Sequence, residues 1–216
     1  MSIKVPFRFD DTALLWVVGD VYTQEECHQI VQEIESSKLE SPQNKGFRDQ
    51  DIVYFDKPKM ANDLFERIKE DLPKKMGNLH LIGINTRLRM YRYNRGQKFT
   101  PHMDHWYSPD DSSITLLTVL VYLNDKFEGG QTHFMEQIEE TVTPKTGSVA
   151  IFQHKIRHEG CEVIKGTKYA FRTDVIYGLF PKKNKKELIE TIEKSKLKPI
   201  VKEKVCIQKK WWKFWL

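Results

Sequence analysis

The hydrophobic pattern of the chain changes rhythm at Gly77. Before it, Leu14–Gly19 (LLWVVG) reads as a short buried strand. Thr23 followed by Glu26 then opens a helix through a capping box. Cys27, Ile30, Val31 and Ile34, spaced by threes and fours, give that helix one apolar face. The polar stretch Ser36–Asp51 reads as a loop. A second amphipathic helix is predicted from Met60 to Lys75, with Leu64, Phe65 and Ile68 inward and Pro73 near its end.

Beyond Gly77, runs rich in β-branched and aromatic residues come at short intervals: Asn85–Tyr93, Ile114–Leu123, Gln131–Phe134, Gly147–Gln153, Arg157–Ile164 and Lys168–Tyr177. Turn signals at Asn94-Arg95-Gly96, Glu128-Gly129-Gly130 and Lys165-Gly166 separate them. Short strands so punctuated predict a mainly β fold with flanking α: helices first, then a β-barrel or jelly roll. No internal repeat is visible.

At 216 residues, 39% of them hydrophobic, the chain is long enough for one sizeable core. The division expected is a domain over 1–181, with its β core at about 85–178, and a tail over 182–216. The net charge of +5 belongs to the tail, which holds 12 lysines against 4 glutamates. Residues 1–181 carry 23 basic and 26 acidic side chains, which argues against a specific nucleic-acid binder. Three cysteines (Cys27, Cys161, Cys206) with no CxxC pair, no leader-like N-terminus and no apolar run long enough to span a bilayer predict a reducing, cytoplasmic setting.

Five of the seven histidines fall between 102 and 158. In a strand, His102 and Asp104 of TPHMDHW would share a face and supply two thirds of a facial triad. The second histidine is then to be sought among His133, His154 and His158. Two histidines and one carboxylate leave three coordination positions open, the arrangement of non-haem Fe(II) oxygenases. His158 is favoured by the residues downstream of it: Lys168 stands ten residues on, and Arg172 shares the strand parity of Lys168, so a buried cation would lie near the metal. His154 is the alternative ligand if the strand runs on; a turn around Lys155-Ile156 removes it. His105 and His133 read as surface histidines, Cys161 as a small buried apolar residue, and Trp106-Tyr107 with SPDDSS as a lip or a plain loop.

The segments YRYNRGQKFTPHMDH, VYLNDKFEGGQTHF and HEGCEVIKGTKYAFRTDVIY resemble the Fe(II)/2-oxoglutarate dioxygenases of the prolyl 4-hydroxylase-like branch. The resemblance covers roughly residues 85–178 and implies a double-stranded β-helix (jelly roll, cupin-like) with N-terminal helices outside. It implies His102, Asp104 and His158 as iron ligands and Lys168 as anchor of the 2-oxoglutarate C5 carboxylate, with Tyr93 and Thr132 assisting and Arg172 as second candidate anchor. The implied reaction is hydroxylation of an unactivated C–H bond, with O2 consumed, succinate and CO2 released, and ascorbate as reductant. The substrate is a small molecule, a peptide or a protein, with peptidyl proline favoured. Nucleic-acid demethylation is disfavoured by the slightly acidic body and the lack of a distal arginine pair. The alternatives are a cupin-like divalent-metal enzyme without 2-oxoglutarate, or a non-catalytic module targeted by its tail. That tail, KVCIQKKWWKFWL, interleaves lysine with tryptophan, a composition suited to a membrane interface or an acidic partner, or to docking on the protein's own body.

Overall fold

The computed structural model describes residues 14–41, 46–136, 138–179 and 184–194. The N-terminal part runs β1 (Leu15–Val18), α1 (Gln24–Ser36), β2 (Asp51–Asp56) and α2 (Pro58–Ile68). Then come β3 (Lys75–Met76), β4 (Leu79–Ile84), β5 (Arg87–Tyr93), β6 (Phe99–His102), β7 (Ser113–Tyr122), β8 (Glu128–Gly129) and β9 (Thr132–Met135). The chain continues through β10 (Glu140–Val142), β11 (Val149–Gln153), β12 (Arg157–Gly160), β13 (Val163–Lys165), β14 (Lys168–Gly178) and α3 (Lys185–Lys194).

These strands form the expected jelly roll. One sheet has the path β1-β11-β7-β14-β4-β3, with β5 pairing both β14 and β2; the smaller sheet has the order β10-β9-β12-β6. β8 and β13 form a separate two-stranded ribbon. The long strand β14 is shared along its length: residues 168–172 pair with β5, and 175–178 with β4.

Alternation decides which residues reach the interior between the sheets. On β7 and β14, Leu117, Val119, Val121, Phe171 and Val175 join a core cluster with Cys27 and Ile34 of α1 and with Ala61, Leu64 and Ile68 of α2. The residues between them, Thr118, Leu120, Lys168, Ala170 and Arg172, line a cavity on the opposite face. The large sheet is therefore apolar toward the helices and partly polar toward the smaller sheet.

Thr23 caps α1 as expected: its hydroxyl accepts from the Glu26 amide, and the Glu26 carboxylate accepts from the Thr23 amide. Helix α2 is shorter than its periodicity suggests. It stops at Ile68, where turn bonds from the Asp71 amide to the Ile68 carbonyl and from the Leu72 amide to the Lys69 carbonyl take over, and Pro73 bars any resumption of the helix. Besides the short β3, β8 and β10, two six-residue strands escape the pattern. DIVYFD, between the polar stretch and the second helix, is β2, which pairs with β5 from Asp51↔Arg92 to Asp56↔Arg87. LHLIGI, interrupted by Gly83, is β4. Part of the segment assigned to the tail is the helix α3, whose Leu188 is buried in the main core. The KKWWKFWL end lies outside the described residues, and among those described no helix is long and apolar enough to cross a membrane.

Candidate metal centre

His102 and His158 sit opposite one another across the β6–β12 pair. Each ring is fixed in the same way. His102 Nδ1 lies 2.8 Å from the Thr100 carbonyl, and His158 Nδ1 lies 2.9 Å from the Ile156 carbonyl. A carbonyl only accepts, so Nδ1 carries the proton in both rings and Nε2 is left as the lone-pair donor. Phe99 stacks on His102 at 3.5 Å between ring centroids, while Phe152 packs edge-on against His158 at 4.6 Å.

Asp104 completes the group by another route. The sequence places it on a strand with His102, but β6 ends at His102, and Asp104 lies in the loop beyond. Its amide leaves the ladder and donates to the His154 carbonyl at 2.8 Å. The carboxylate still arrives: Oδ1 is 3.9 Å from His102 Nε2, and Oδ2 is 3.8 Å from His158 Nε2. One ligand atom from each of the three residues lies within 4.8 Å of the others. Two neutral imidazoles and a carboxylate so gathered fit a divalent first-row metal.

Electrostatics keep these groups ready. Burial, with the neighbouring His158 next in importance, lowers His102 to about 4, and burial also lowers His158, so both rings are neutral near pH 7. Burial alone would raise Asp104. The Arg172 guanidinium, aided by the three histidines around it, overrides this and holds the carboxyl well below the usual carboxylate range.

Lys168 opens β14 and is 3% exposed. Its Nζ donates to the Gly130 carbonyl at 2.7 Å and lies 5.0 Å from the Tyr93 ring centroid and 5.7 Å from that of Tyr122. It forms no salt bridge among the described residues, and burial lowers it to about 8. The double glycine shapes this corner. Gly130 has φ +66°, and a Cβ there would come within 2.8 Å of Phe127 and 3.2 Å of the Lys168 side chain. Thr132 is buried beside Lys168, with its hydroxyl 2.8 Å from that of Tyr122. Tyr93, Thr132, Lys168 and the three candidate ligands all border one cavity that opens to solvent.

Arg172 borders the same cavity with two of its three guanidinium nitrogens engaged: Nη1 lies 2.7 Å from Asp104 Oδ1, and Nη2 lies 2.9 Å from Asp174 Oδ1, while the buried Nε has no hydrogen-bond partner among the described residues. The other histidines separate clearly. The chain turns at His154-Lys155, and His154 Nδ1 faces the Thr118 hydroxyl at 3.0 Å instead of the ligand cluster. His133 contacts Thr141, and His105 is exposed. Cys161 is half-buried, and the loop after Tyr107 is pinned by Asp110, which accepts from Ser112 and Ser113. Sequence reasoning overlooked Thr118 and Tyr122, which read as ordinary positions of an apolar strand; only their even spacing toward the polar face marks them.

Residues 88–173 match the 2OG-Fe(II) oxygenase superfamily. Two Arabidopsis thaliana proteins, probable prolyl 4-hydroxylases 10 and 3, are 30% and 26% identical, each over 38% of this chain and 39% of the relative. The match thus spans about two fifths of the curated relatives. Among solved structures, the viral collagen prolyl hydroxylase of Paramecium bursaria Chlorella virus-1, in its 2OG complex, superposes with TM-score 0.58 at 20% identity, over 76% of this chain and 96% of that one. A Trichoplax adhaerens prolyl hydroxylase bound to a hypoxia-inducible-factor peptide gives 0.58 at 16% identity, over 74% and 82%. Residues 88–173 are thus similar to the 2OG-Fe(II) oxygenases, a superfamily whose cofactors are Fe(II), 2-oxoglutarate and O2, and the fold is the one its solved members share. The relatives and structures it resembles there are prolyl hydroxylases.

Proposed function

We propose that the protein is an Fe(II)- and 2-oxoglutarate-dependent hydroxylase acting on a peptide, with a prolyl residue as the site of attack. The observation that carries this reading is Lys168: a buried ammonium with no carboxylate partner among the described residues, in the same cavity as two histidines and an aspartate. A buried charge left unpaired is costly, and a dicarboxylic acid entering the cavity would supply the missing anion. A metal-dependent enzyme without 2-oxoglutarate would need some other anion to pair with that cation.

In this reading His102 Nε2, His158 Nε2 and one Asp104 oxygen hold the iron. Iron so held supplies dioxygen activation, coupling decarboxylation of 2-oxoglutarate to succinate and CO2 with hydroxylation of the substrate C–H bond. Lys168 Nζ takes the distal carboxylate of 2-oxoglutarate, with the Tyr93 and Thr132 hydroxyls beside it. The Nδ1–carbonyl bonds keep both imidazoles in the coordinating tautomer. Phe99, Leu120 and Phe152 wall the cavity with apolar surface and exclude water. A prolyl peptide is the substrate class suggested by the Arabidopsis and Chlorella virus relatives.

The test is succinate formation from 2-oxoglutarate with Fe(II) and ascorbate under air, without and with proline-rich peptides. Turnover in the wild type that disappears in His158→Ala, and that a proline-rich peptide stimulates, is expected. A protein that binds no 2-oxoglutarate when loaded with Fe(II) would overturn the reading.

A further inference from the structure

We propose that Arg172, Thr118 and His154 are positioning residues that fix the orientation of Asp104 as a metal ligand. The inference rests on the reading of His102, Asp104 and His158 as the metal centre. Asp104 needs such help because it is the one member of the three outside a strand. Among the described residues, its backbone amide is tied to the rest of the site by a hydrogen bond to the His154 carbonyl.

Its side chain is clamped on both oxygens. Oδ1 accepts from Arg172 Nη1 at 2.7 Å, and Oδ2 accepts from the Thr118 hydroxyl at 2.5 Å. The Thr118 proton is spent on a carboxylate that can only accept. His154 Nδ1, 3.0 Å from the same hydroxyl, must therefore be the protonated nitrogen and donate to it. The bonds run one way, from His154 through Thr118 to Asp104. With a strong donor on each oxygen, the carboxylate cannot rotate about its own axis without breaking one of them.

The same groups make little sense as a device for stability alone. Arg172 and Asp174 pair within β14 at i and i+2, so that bond joins no two elements. Arg172 also stands opposite Arg89 in the β14–β5 register, with Asp174 bonded to both guanidinium groups. Burying Arg172 with Asp104 and Asp174, beside a partly exposed Arg89, seldom stabilises a fold more than apolar packing of the same volume. What the cluster does accomplish is to carry Arg172 Nη1 across to a loop carboxylate that no ladder bond holds.

The experiment uses the full chain and Co(II) as a spectroscopic probe, without co-substrate. Affinity is measured by calorimetry, and the visible d–d absorption is recorded for wild type, Thr118→Val, Thr118→Ser and Arg172→Gln. Circular dichroism of each metal-free protein reports folding. The expected result is that Thr118→Val and Arg172→Gln weaken Co(II) binding by about 10- to 100-fold and alter the absorption band. Thr118→Ser, which restores the hydroxyl, should recover both affinity and spectrum, and a merely structural effect would not show that pattern. Folded Thr118→Val with wild-type affinity and an unchanged band would overturn the proposal, and decides it alone if Arg172→Gln fails to fold. Wild-type protein that takes up no Co(II) would overturn the metal reading itself, and this inference with it.

Discussion

The histidines and the aspartate of the candidate metal centre are held by opposite means. His102 and His158 are placed by backbone: they face each other in a ladder, and each ring is locked by a carbonyl two residues earlier. Asp104 is placed by side chains reaching out of the large sheet, Thr118 from β7 and Arg172 from β14. The smaller sheet thus fixes two candidate ligands through its main chain, while the larger one fixes the third through side-chain hydrogen bonds. Backbone placement tolerates changes of neighbouring side chains; side-chain placement does not.

Removing a backbone-placed ligand gives the largest effect on activity. His158→Ala should reduce succinate formation to background, since no other histidine among the described residues joins the cluster. Next comes the isolated cation. Lys168→Met should raise the 2-oxoglutarate concentration for half-maximal turnover by about 100-fold, as for loss of one partner of a buried charge pair. The same substitution should stabilise the ligand-free protein at neutral pH. Burial lowers the lysine from 10.5 to about 8, so the folded state loses its proton before the unfolded state does. That penalty is full below pH 8 and fades as pH rises toward 10.5, so urea midpoints of variant and wild type should converge over that interval.

The scaffold behind the histidines can be loosened without touching a ligand. Phe134 on β9 is fully buried, packs against Phe152 at 4.9 Å and lies 5.7 Å from the His158 ring. Phe134→Ala should cost about 3–5 kcal/mol in urea unfolding. The smallest effect belongs to the outer helices. Hydrogen bonds from Arg67 and from the Thr23 amide lower Glu26 to about 2, so its contribution is present above about 4.5 and is lost as pH falls toward 2. Glu26→Gln should cost at most about 1 kcal/mol at neutral pH, with that difference vanishing in acid and Co(II) affinity unmoved.

Much of this is legible in the sequence because periodicity is local. The capping box, the α1 face and the strands β7, β11 and β14 follow from spacing alone. The strands β2 and β4 do not, since one is a six-residue burst bounded by aspartates and the other is broken by Gly83. Spacing and resemblance together single out the three candidate ligands and Lys168. Strand alternation is nevertheless the wrong reason for pairing His102 with Asp104, because the strand has already ended at His102. Arg172 shows the limit more sharply. Its parity places it in the cavity, but its partner Asp104 is far away in sequence and meets it only once the sheets close.

The pairing of His158 with His102 carries one more implication. Between His158 and Gly160 the β12–β6 register shifts, an irregularity beside the proposed ligands. A slip of one residue in that ladder would turn one imidazole to the opposite face and dismantle the cluster while leaving the strand count unchanged. A divalent ion that binds only the correct alignment stabilises it over its neighbours by mass action. Metal uptake at this site would then be a form of proofreading, favouring the alignment in which both rings face inward.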